Sequence, residues 1–327
     1  MPKATRPRWV PTIARGIEMT TTTVSPIKLS LGPMQYFWPR ERTLAFYREA
    51  NQWPVDVVYL GETICSKRRE LGTRDWIALA EELAASGKQV VLSSLALIEA
   101  ESELGVLNRL VEHGSFWIEA NDLSAVQLCR QRGTPFVAGP SLNVYNHRAL
   151  ALLVEDGLRR WVPGVEQGQQ LIGELRDGYT AGGVAMPELE VIAWGRLPLA
   201  FSARCFTARA LDVGKDQCGF RCIEHPDAIP LATRDGQPFL RINGIQVLGE
   251  EITDLGPELP ALRELGVDIL RIYPQAEATG DVLAHFDLAR RSATAPPRIG
   301  FRNGYWHGEP GMRMNPARAD QSGSSGG

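Results

Sequence analysis

The sequence has 327 residues, of which 44% are hydrophobic and 22% charged, and its formal net charge is −3. These values are typical of a globular protein that buries a large core. The slightly acidic balance excludes a protein that holds nucleic acid through a general basic field, because binding to the phosphate backbone depends on positive charge. No apolar run approaches the roughly 20 residues that a membrane-spanning helix needs, which excludes an ordinary transmembrane protein.

The two ends of the sequence differ from the rest in composition. Residues 1–26 contain basic residues and prolines but no long apolar segment, so we expect a disordered extension rather than a signal peptide. Residues 306–327 end in serine and glycine, which is typical of a flexible tail. We expect residues 27–305 to form a single domain. The five irregularly spaced cysteines favour a reduced protein, so the cytoplasm is the expected location.

Short apolar runs alternate with longer amphipathic segments along this domain. The runs predicted as strands are 27–31, 55–60, 89–97, 116–119, 136–138, 160–162, 189–194 and 269–273. The predicted helices are 42–50, 76–86 with Asp75 as its N-cap, 102–112, 124–132, 148–155, 169–177, 260–265 and 281–291. Residues 239–248 interrupt the alternation and are predicted to form a hairpin.

Eight strand–helix units predict an α/β protein with a (β/α)₈ TIM-barrel-like fold, regular or distorted. The predicted seventh strand leads directly into a long segment rich in cysteine and turn residues, 195–225. In a barrel this segment would follow a strand at the C-terminal face, where the active sites of such folds lie.

The cysteines suggest an inorganic centre. Cys205, Cys218 and Cys222 lie in the segment after the seventh strand, and Cys65 follows the second strand, so all four are expected at the same face. Cys129 lies inside a predicted helix and is interpreted as a buried apolar residue. Five cysteines at irregular spacing do not suggest a secreted disulfide framework.

Four thiolates suit either a structural zinc ion or an iron–sulfur cluster. The long, irregular spacing favours a cluster, because a cluster is wider than a single ion and tolerates ligands from distant loops. Basic residues beside the cysteines also favour the cluster, since positive charge lowers the pKa of a thiol. These residues are Lys67, Arg68, Arg69, Arg204 and Arg209. Zinc remains the alternative at this point.

Other candidate functional residues carry weaker signals. Glu62 and Glu119 end predicted strands and could bind a polar donor, and Arg204 could bind a carboxylate. The aromatic residues 36–38 follow the first strand. They could line a pocket for a phenolic ligand, but packing in the core is the simpler interpretation.

Several long motifs resemble the collagenase-like peptidase family. The resemblance extends from about residue 29 to about residue 305. The motifs that carry it are LSLGPMQYFWPRE, YLGETICSKRRE, SSLALIEAESELG, LPLAFSARCFTAR, KDQC, RINGIQ and NGYW. The barrel-like fold of that family agrees with the strand count.

The resemblance implies a 4Fe-4S cluster with Cys65, Cys205, Cys218 and Cys222 as its cofactor-binding and metal ligands. It implies a heterodimer with a UbiU-like protein that hydroxylates an aromatic ring without dioxygen in anaerobic ubiquinone biosynthesis. A prenylated phenol intermediate and an organic oxygen donor are the implied small molecules.

Peptidase activity is not expected, because the sequence has no Gly-x-Ser-x-Gly or His-Glu-x-x-His motif. A non-catalytic partner that stabilises the UbiU-like protein, or passes electrons to it, is the alternative function. Hydroxylation of RNA is disfavoured by the acidic charge balance. The sequence does not identify a catalytic residue.

Overall fold

The computed structural model of the chain describes residues 27–183, 185–292 and 296–315. The predicted extension, residues 1–26, lies outside the described residues, as does the predicted tail from residue 316 onward. The first part of that tail continues in contact with the domain. Trp306 is buried, and the backbone N–H of Asn315 donates a hydrogen bond of 2.7 Å to Asn303 Oδ1.

Eight parallel strands, β1 to β7 and β13, form a closed barrel. All strands of the described residues, in chain order, are β1 (Lys28–Leu31), β2 (Val57–Leu60), β3 (Gln89–Ser93), β4 (Trp117–Ala120), β5 (Phe136–Ala138), β6 (Leu158–Trp161), β7 (Glu188–Gly195), β8 (Pro198–Phe201), β9 (Ile229–Ala232), β10 (Pro238–Asn243), β11 (Gln246–Gly249), β12 (Thr253–Asp254) and β13 (Ile269–Ile272). Strands β1 to β7 pair in sequence order, and β13 pairs with both β7 and β1, which closes the circle. The predicted (β/α)₈ TIM-barrel-like fold is confirmed.

The helices alternate with the barrel strands, except for α7, which lies between β8 and β9. They are α1 (Arg40–Ala50), α2 (Thr73–Ala85), α3 (Glu101–His113), α4 (Leu123–Arg132), α5 (His147–Glu155), α6 (Gln169–Thr180), α7 (Phe206–Ala210), α8 (Leu259–Glu264) and α9 (Thr279–Arg291). The predicted start of α2 is wrong: Gly72, not Asp75, is its N-cap. Asp75 lies in the first turn, and its carboxylate accepts a hydrogen bond of 2.8 Å from the backbone N–H of the N-cap residue Gly72.

The cysteine segment belongs to a second, smaller sheet inserted between β7 and α8. Four antiparallel strands have the order β8-β11-β10-β9, and the predicted hairpin supplies β10 and β11. The segment 195–225 directly follows β7, as predicted, but it begins with strand β8, which the sequence analysis did not predict. β8 pairs with β11, which lies far along the chain, so no local pattern indicates this strand.

Apolar side chains fill part of the barrel interior. They include Val57, Val91, Val137, Ile192 and Ile269, which come from five strands. A larger apolar core lies between the barrel and its helices. Barrel strands therefore have a buried residue on both faces, as expected of parallel strands covered by helices.

A buried charge network fills the rest of the interior. Glu190 accepts hydrogen bonds from Ser30 Oγ (2.6 Å), Tyr59 Oη (2.5 Å) and Arg271 Nε (2.7 Å). Arg271 Nη1 also donates to Glu119 Oε1 over 2.6 Å. Burial opposes the charge of Glu190, but Arg271 and Arg160 outweigh it and hold the pKa of Glu190 below its usual value. Glu119 is therefore part of the fold's interior network.

Candidate functional site

Four cysteines from separate segments line one small cavity. Cys65 lies in the loop after β2, and Cys205 is the N-cap of α7. Cys218 and Cys222 lie in the short turns that follow α7. All four thiols are partly buried, and all four line the same cavity. The tertiary structure thus brings Cys65 to the other three cysteines.

Glu62 and Arg68 hold the loop that carries Cys65. Glu62 Oε1 accepts hydrogen bonds from the backbone N–H groups of Ile64 (2.9 Å) and Cys65 (3.0 Å). The guanidinium of Arg68 is buried and lies 3.7 Å from Glu62 Oε1. Its own backbone N–H donates to the carbonyl oxygen of Cys65 over 2.9 Å. Glu62 therefore shapes this loop, in place of the donor-binding role considered from the sequence.

Backbone hydrogen bonds fasten the segment with the other cysteines to the turn between β10 and β11. The N–H of Phe206 donates to the carbonyl oxygen of Gly244 over 2.7 Å, and the N–H of Gly244 donates to Thr207 Oγ1 over 2.8 Å. Gly244 has φ = +64°, a conformation that favours glycine. The sequence RINGIQ thus places its glycine at the turn that receives the first residues of α7.

Two lysines join the cysteine loops at the surface. Lys67 Nζ pairs with Asp216 Oδ1 at 2.5 Å and donates to the carbonyl oxygen of Lys215 at 3.2 Å. Lys215 Nζ in turn pairs with Glu99 Oε2 at 2.6 Å. These exposed pairs each stabilise the fold weakly, but together they connect the loop after β2, the loop after β3 and the cysteine segment.

The backbone reverses sharply between Cys218 and Cys222. Gly219 (φ = +57°) and Phe220 (φ = +56°) are both left-handed. The conformation is unusual for phenylalanine, whose side chain is 48% exposed here. The reversal turns both flanking cysteines toward the same cavity.

The thiols have mixed electrostatic surroundings. Burial raises the pKa of Cys65 and of Cys222, and the Arg68 guanidinium lowers the pKa of Cys222 in part. Cys205 Sγ accepts a hydrogen bond of 3.4 Å from the Ala208 N–H. Cations and N–H donors favour the thiolate form that metal ligation requires.

The predicted basic surroundings are realised only in part. Lys67 and Arg68 line the cysteine cavity, whereas Arg69 lines a separate cavity. Arg204 and Arg209 are exposed and do not line the cysteine cavity. Residues that are neighbours in the sequence therefore line different cavities, because successive residues of a loop point in different directions.

The donor set is that of a four-cysteine metal centre. Within residues 27–183, 185–292 and 296–315, no three His, Cys, Asp or Glu side chains are already close enough to hold a metal ion. Four partly buried thiols line one cavity, and four cysteine ligands are typical both of a 4Fe-4S cluster and of structural zinc. The residues present therefore fit the implied group.

The remaining candidate residues have structural roles. Tyr36, Phe37 and Trp38 are buried, and Tyr36 Oη donates to Gln275 Oε1 over 2.9 Å. Trp38 Nε1 donates to the carbonyl oxygen of Pro226 over 2.9 Å, which anchors the end of the cysteine segment. Core packing, the simpler interpretation, accounts for these aromatic residues. Cys129 is fully buried in α4, away from the cavity.

Sequence reasoning missed Asn243 and the large cavity between α2 and α3. Asn243 accepts a hydrogen bond from Arg68 and donates to the carbonyl oxygen of Gln35 over 2.7 Å. The only sequence signal was its place in the RINGIQ motif.

The fold and the site together define a (β/α)₈-barrel protein with an antiparallel insertion and a cavity lined by one cysteine of a barrel loop and three cysteines of the insertion. The model of peptidase family U32 matches residues 43–294, and the chain belongs to this family.

Solved structures similar to the chain have low sequence identity. A U32 peptidase shares 10% identity over 82% of this chain and 98% of its own, with a TM-score of 0.40. Dihydropteroate synthase from Xanthomonas albilineans shares 11% identity over 83% of this chain and 96% of its own, with a TM-score of 0.40. Dihydropteroate synthase from Anaplasma phagocytophilum shares 10% identity over 81% of this chain and 99% of its own, with a TM-score of 0.38.

None of the helices in the described ranges combines the length and apolarity required to cross a bilayer.

Proposed function

We propose that the chain is a UbiV-like iron–sulfur subunit. In this role it works with a UbiU-like partner in the dioxygen-independent hydroxylation of an aromatic ring during anaerobic ubiquinone biosynthesis. The observation that supports the proposal is the common cavity lined by Cys65, Cys205, Cys218 and Cys222. Membership of the U32 family is consistent with it.

The four cysteines would hold a 4Fe-4S cluster. When bound, such a cluster supplies one-electron transfer at a potential set by its charge, hydrogen bonds and solvent exposure. With a cysteine for each iron, no ligand position is left for substrate. The proposed role is therefore electron transfer to the reaction rather than direct contact with the ring.

The chain's own residues would orient the ligands and balance their charge. Arg68 and Lys67 line the cavity and oppose the negative charge of four thiolates. Glu62 fixes the Cys65 loop through two backbone N–H groups. The Gly244 turn fixes the start of α7, and with it Cys205.

The test is anaerobic purification of four single variants, Cys65→Ser, Cys205→Ser, Cys218→Ser and Cys222→Ser. Each should lose most of the iron, the acid-labile sulfide and the visible absorbance of the cluster. Cys129→Ala is the matched control and should keep all three. Full iron and sulfide in every ligand variant would refute the assignment, and zinc without sulfide in the unaltered protein would replace the cluster by a single-ion site.

The alternative is a non-catalytic partner that stabilises the UbiU-like protein. It is favoured by one observation: Cys65 belongs to a barrel loop and the other three cysteines to the insertion, so a cluster held by all four would also be a structural crosslink. The heterodimer carrying a ligand variant distinguishes the two functions. Loss of anaerobic ring hydroxylation with the heterodimer intact supports electron transfer, whereas retained hydroxylation supports the structural role.

A further inference from the structure

A cavity of about 400 Å³ lies between α2 and α3, at the C-terminal ends of β2 and β3. This volume falls in the range of small-molecule sites, roughly 300–1,000 Å³. Its lining combines apolar and polar residues. The apolar side chains include Leu60, Trp76, Leu92, Val106, Leu107 and Leu110.

Two arginines at this cavity have no carboxylate partner. Arg69 and Arg109 are exposed residues that line it, and neither forms an ion pair within the part of the chain that the structure describes. Arg69 Nε makes only a long contact, 3.5 Å, with the carbonyl oxygen of Ser66. Both guanidinium groups can therefore accept an anion without breaking an existing ion pair.

The acidic side chains of the cavity are already committed. Glu103 Oε2 accepts hydrogen bonds from the backbone N–H groups of Glu99 (2.6 Å) and Ala100 (3.2 Å). Burial opposes its charge, but a hydrogen bond from Ser66 and these two N–H groups outweigh burial and lower the pKa of Glu103. Glu62 is occupied by the backbone of the Cys65 loop. Three arginines (Arg68, Arg69 and Arg109) and two glutamates (Glu62 and Glu103) line the cavity, so the net charge of its lining side chains is positive.

The cavity adjoins the cysteine site but is separate from it. Arg68 lines both cavities, and Ser66, the neighbour of Cys65 in the chain, lines the larger one. None of the four cysteines lines the larger cavity. A ligand bound there would lie beside the cysteine loop without replacing a thiol.

We propose that this cavity binds an organic anion with an apolar body, such as an aryl or alkyl monocarboxylate. The carboxylate pairs with Arg69 and Arg109, because guanidinium groups bind carboxylates in a bidentate geometry. Trp76 and the leucine side chains enclose the apolar body. The inference stands independently of the cluster, since no cysteine takes part.

The experiment compares 2-naphthoate with 2-naphthamide, which has the same shape without the charge. Binding to the full chain, purified anaerobically, is measured by calorimetry. A second readout is the ¹⁹F spectrum of 5-fluorotryptophan-labelled protein, in which Trp76→Phe assigns the Trp76 signal. The expected result is that naphthoate binds about tenfold more tightly than the amide and shifts the Trp76 signal.

Three variants locate the site. Arg69→Gln and Arg109→Gln should each weaken naphthoate binding about fivefold and leave amide binding unchanged. Val106→Trp should abolish binding of both, because Val106 lies at the rim, 39% exposed, and a larger side chain there fills the opening. Arg148→Gln is the matched control on α5, exposed and without an ion pair in the described structure, and should change nothing.

Equal affinity for naphthoate and naphthamide would overturn the role of the two arginines. Absence of binding, or binding unaffected by Val106→Trp, would overturn the site itself. Iron and sulfide are measured on the same samples. If naphthoate does not bind but iron and sulfide are present, the carboxylate site is contradicted and the cluster is not. If naphthoate binds but iron and sulfide are absent, the cluster is contradicted and the carboxylate site is not.

Discussion

Arg68 and Asn243 are 175 positions apart in the chain, yet the buried Arg68 guanidinium donates a hydrogen bond of 2.7 Å to Asn243 Oδ1. The same guanidinium donates to the carbonyl oxygen of Gln35 over 2.9 Å. Arg68 thereby joins the loop of Cys65 to the inserted sheet that supports the other three cysteines. We infer that this contact positions the two halves of the cysteine cavity.

Replacement of Arg68 by methionine should therefore destabilise the protein. The variant removes the buried guanidinium from Glu62, Asn243 Oδ1 and the Gln35 carbonyl oxygen, although Glu62 and Gln35 keep their other hydrogen bonds; the expected cost is about 3 kcal/mol in the free energy of unfolding. Urea denaturation measures the loss. Arg69→Met is the control, because its exposed side chain should change stability by no more than about 0.5 kcal/mol. Equal, small effects of both substitutions would contradict the role of Arg68.

The charge network inside the barrel should depend on Glu190. Glu190→Gln removes the negative charge that Arg271 and Arg160 share and leaves their buried guanidinium groups undercompensated. We expect a loss of about 3 kcal/mol in the free energy of unfolding. Denaturation of Glu174→Gln, an exposed residue of α6, provides the comparison and should show almost no change. A variant as stable as the unaltered protein would mean that the network contributes little.

Cys129 should be chemically inert in the folded protein. It is fully buried, and burial raises the pKa of its thiol to about 12, so almost no thiolate exists near pH 8. Treatment with iodoacetamide followed by peptide mass mapping should find Cys129 unmodified in the native protein and fully modified in urea. Equal modification rates in both conditions would show that α4 opens readily.

The pairing of Asp75 with Arg40 should make part of the stability dependent on pH. The Arg40 guanidinium, 2.6 Å away, and the Gly72 N–H lower the pKa of Asp75 from its ordinary value of 3.8 to about 2. The unfolded chain therefore binds this proton at a higher pH than the folded one. The contribution of ionised Asp75 to the free energy of unfolding is therefore nearly complete above about pH 4 and is lost as the pH falls toward 2.

Asp75→Asn tests this dependence. Because the pair is partly exposed and screened by solvent, the variant should lose only about 0.5–1 kcal/mol at pH 7. The difference from the unaltered protein should shrink when unfolding is measured at pH 3. Asp281→Asn, in the first turn of α9, is the control, because Asp281 has no side-chain partner among the residues described. A difference that stays constant with pH would contradict the assigned cause.

Much of the barrel was predictable because its elements are specified locally. The run VDVVYL and its neighbours alternate with amphipathic segments, and glycines end several of the helices. Such patterns depend on residues a few positions apart, so they are visible in the sequence. Strand β8 was missed because its partner β11 lies far along the chain, and Asp75 was misplaced because N-cap and first-turn positions share a preference for aspartate.

The sequence by itself determined the eight strand–helix units and the family motifs. It also predicted that Cys65, Cys205, Cys218 and Cys222 lie at one face and that Cys129 is a buried apolar residue. Only the tertiary structure decided that these four line one cavity and that Arg68 rather than Arg204 or Arg209 accompanies them. It also decided that Arg69 and Arg109 line one cavity between α2 and α3. The reason is physical: helices and strands follow from short-range periodicity, whereas contacts between loops depend on how barrel closure and the inserted sheet bring distant segments together.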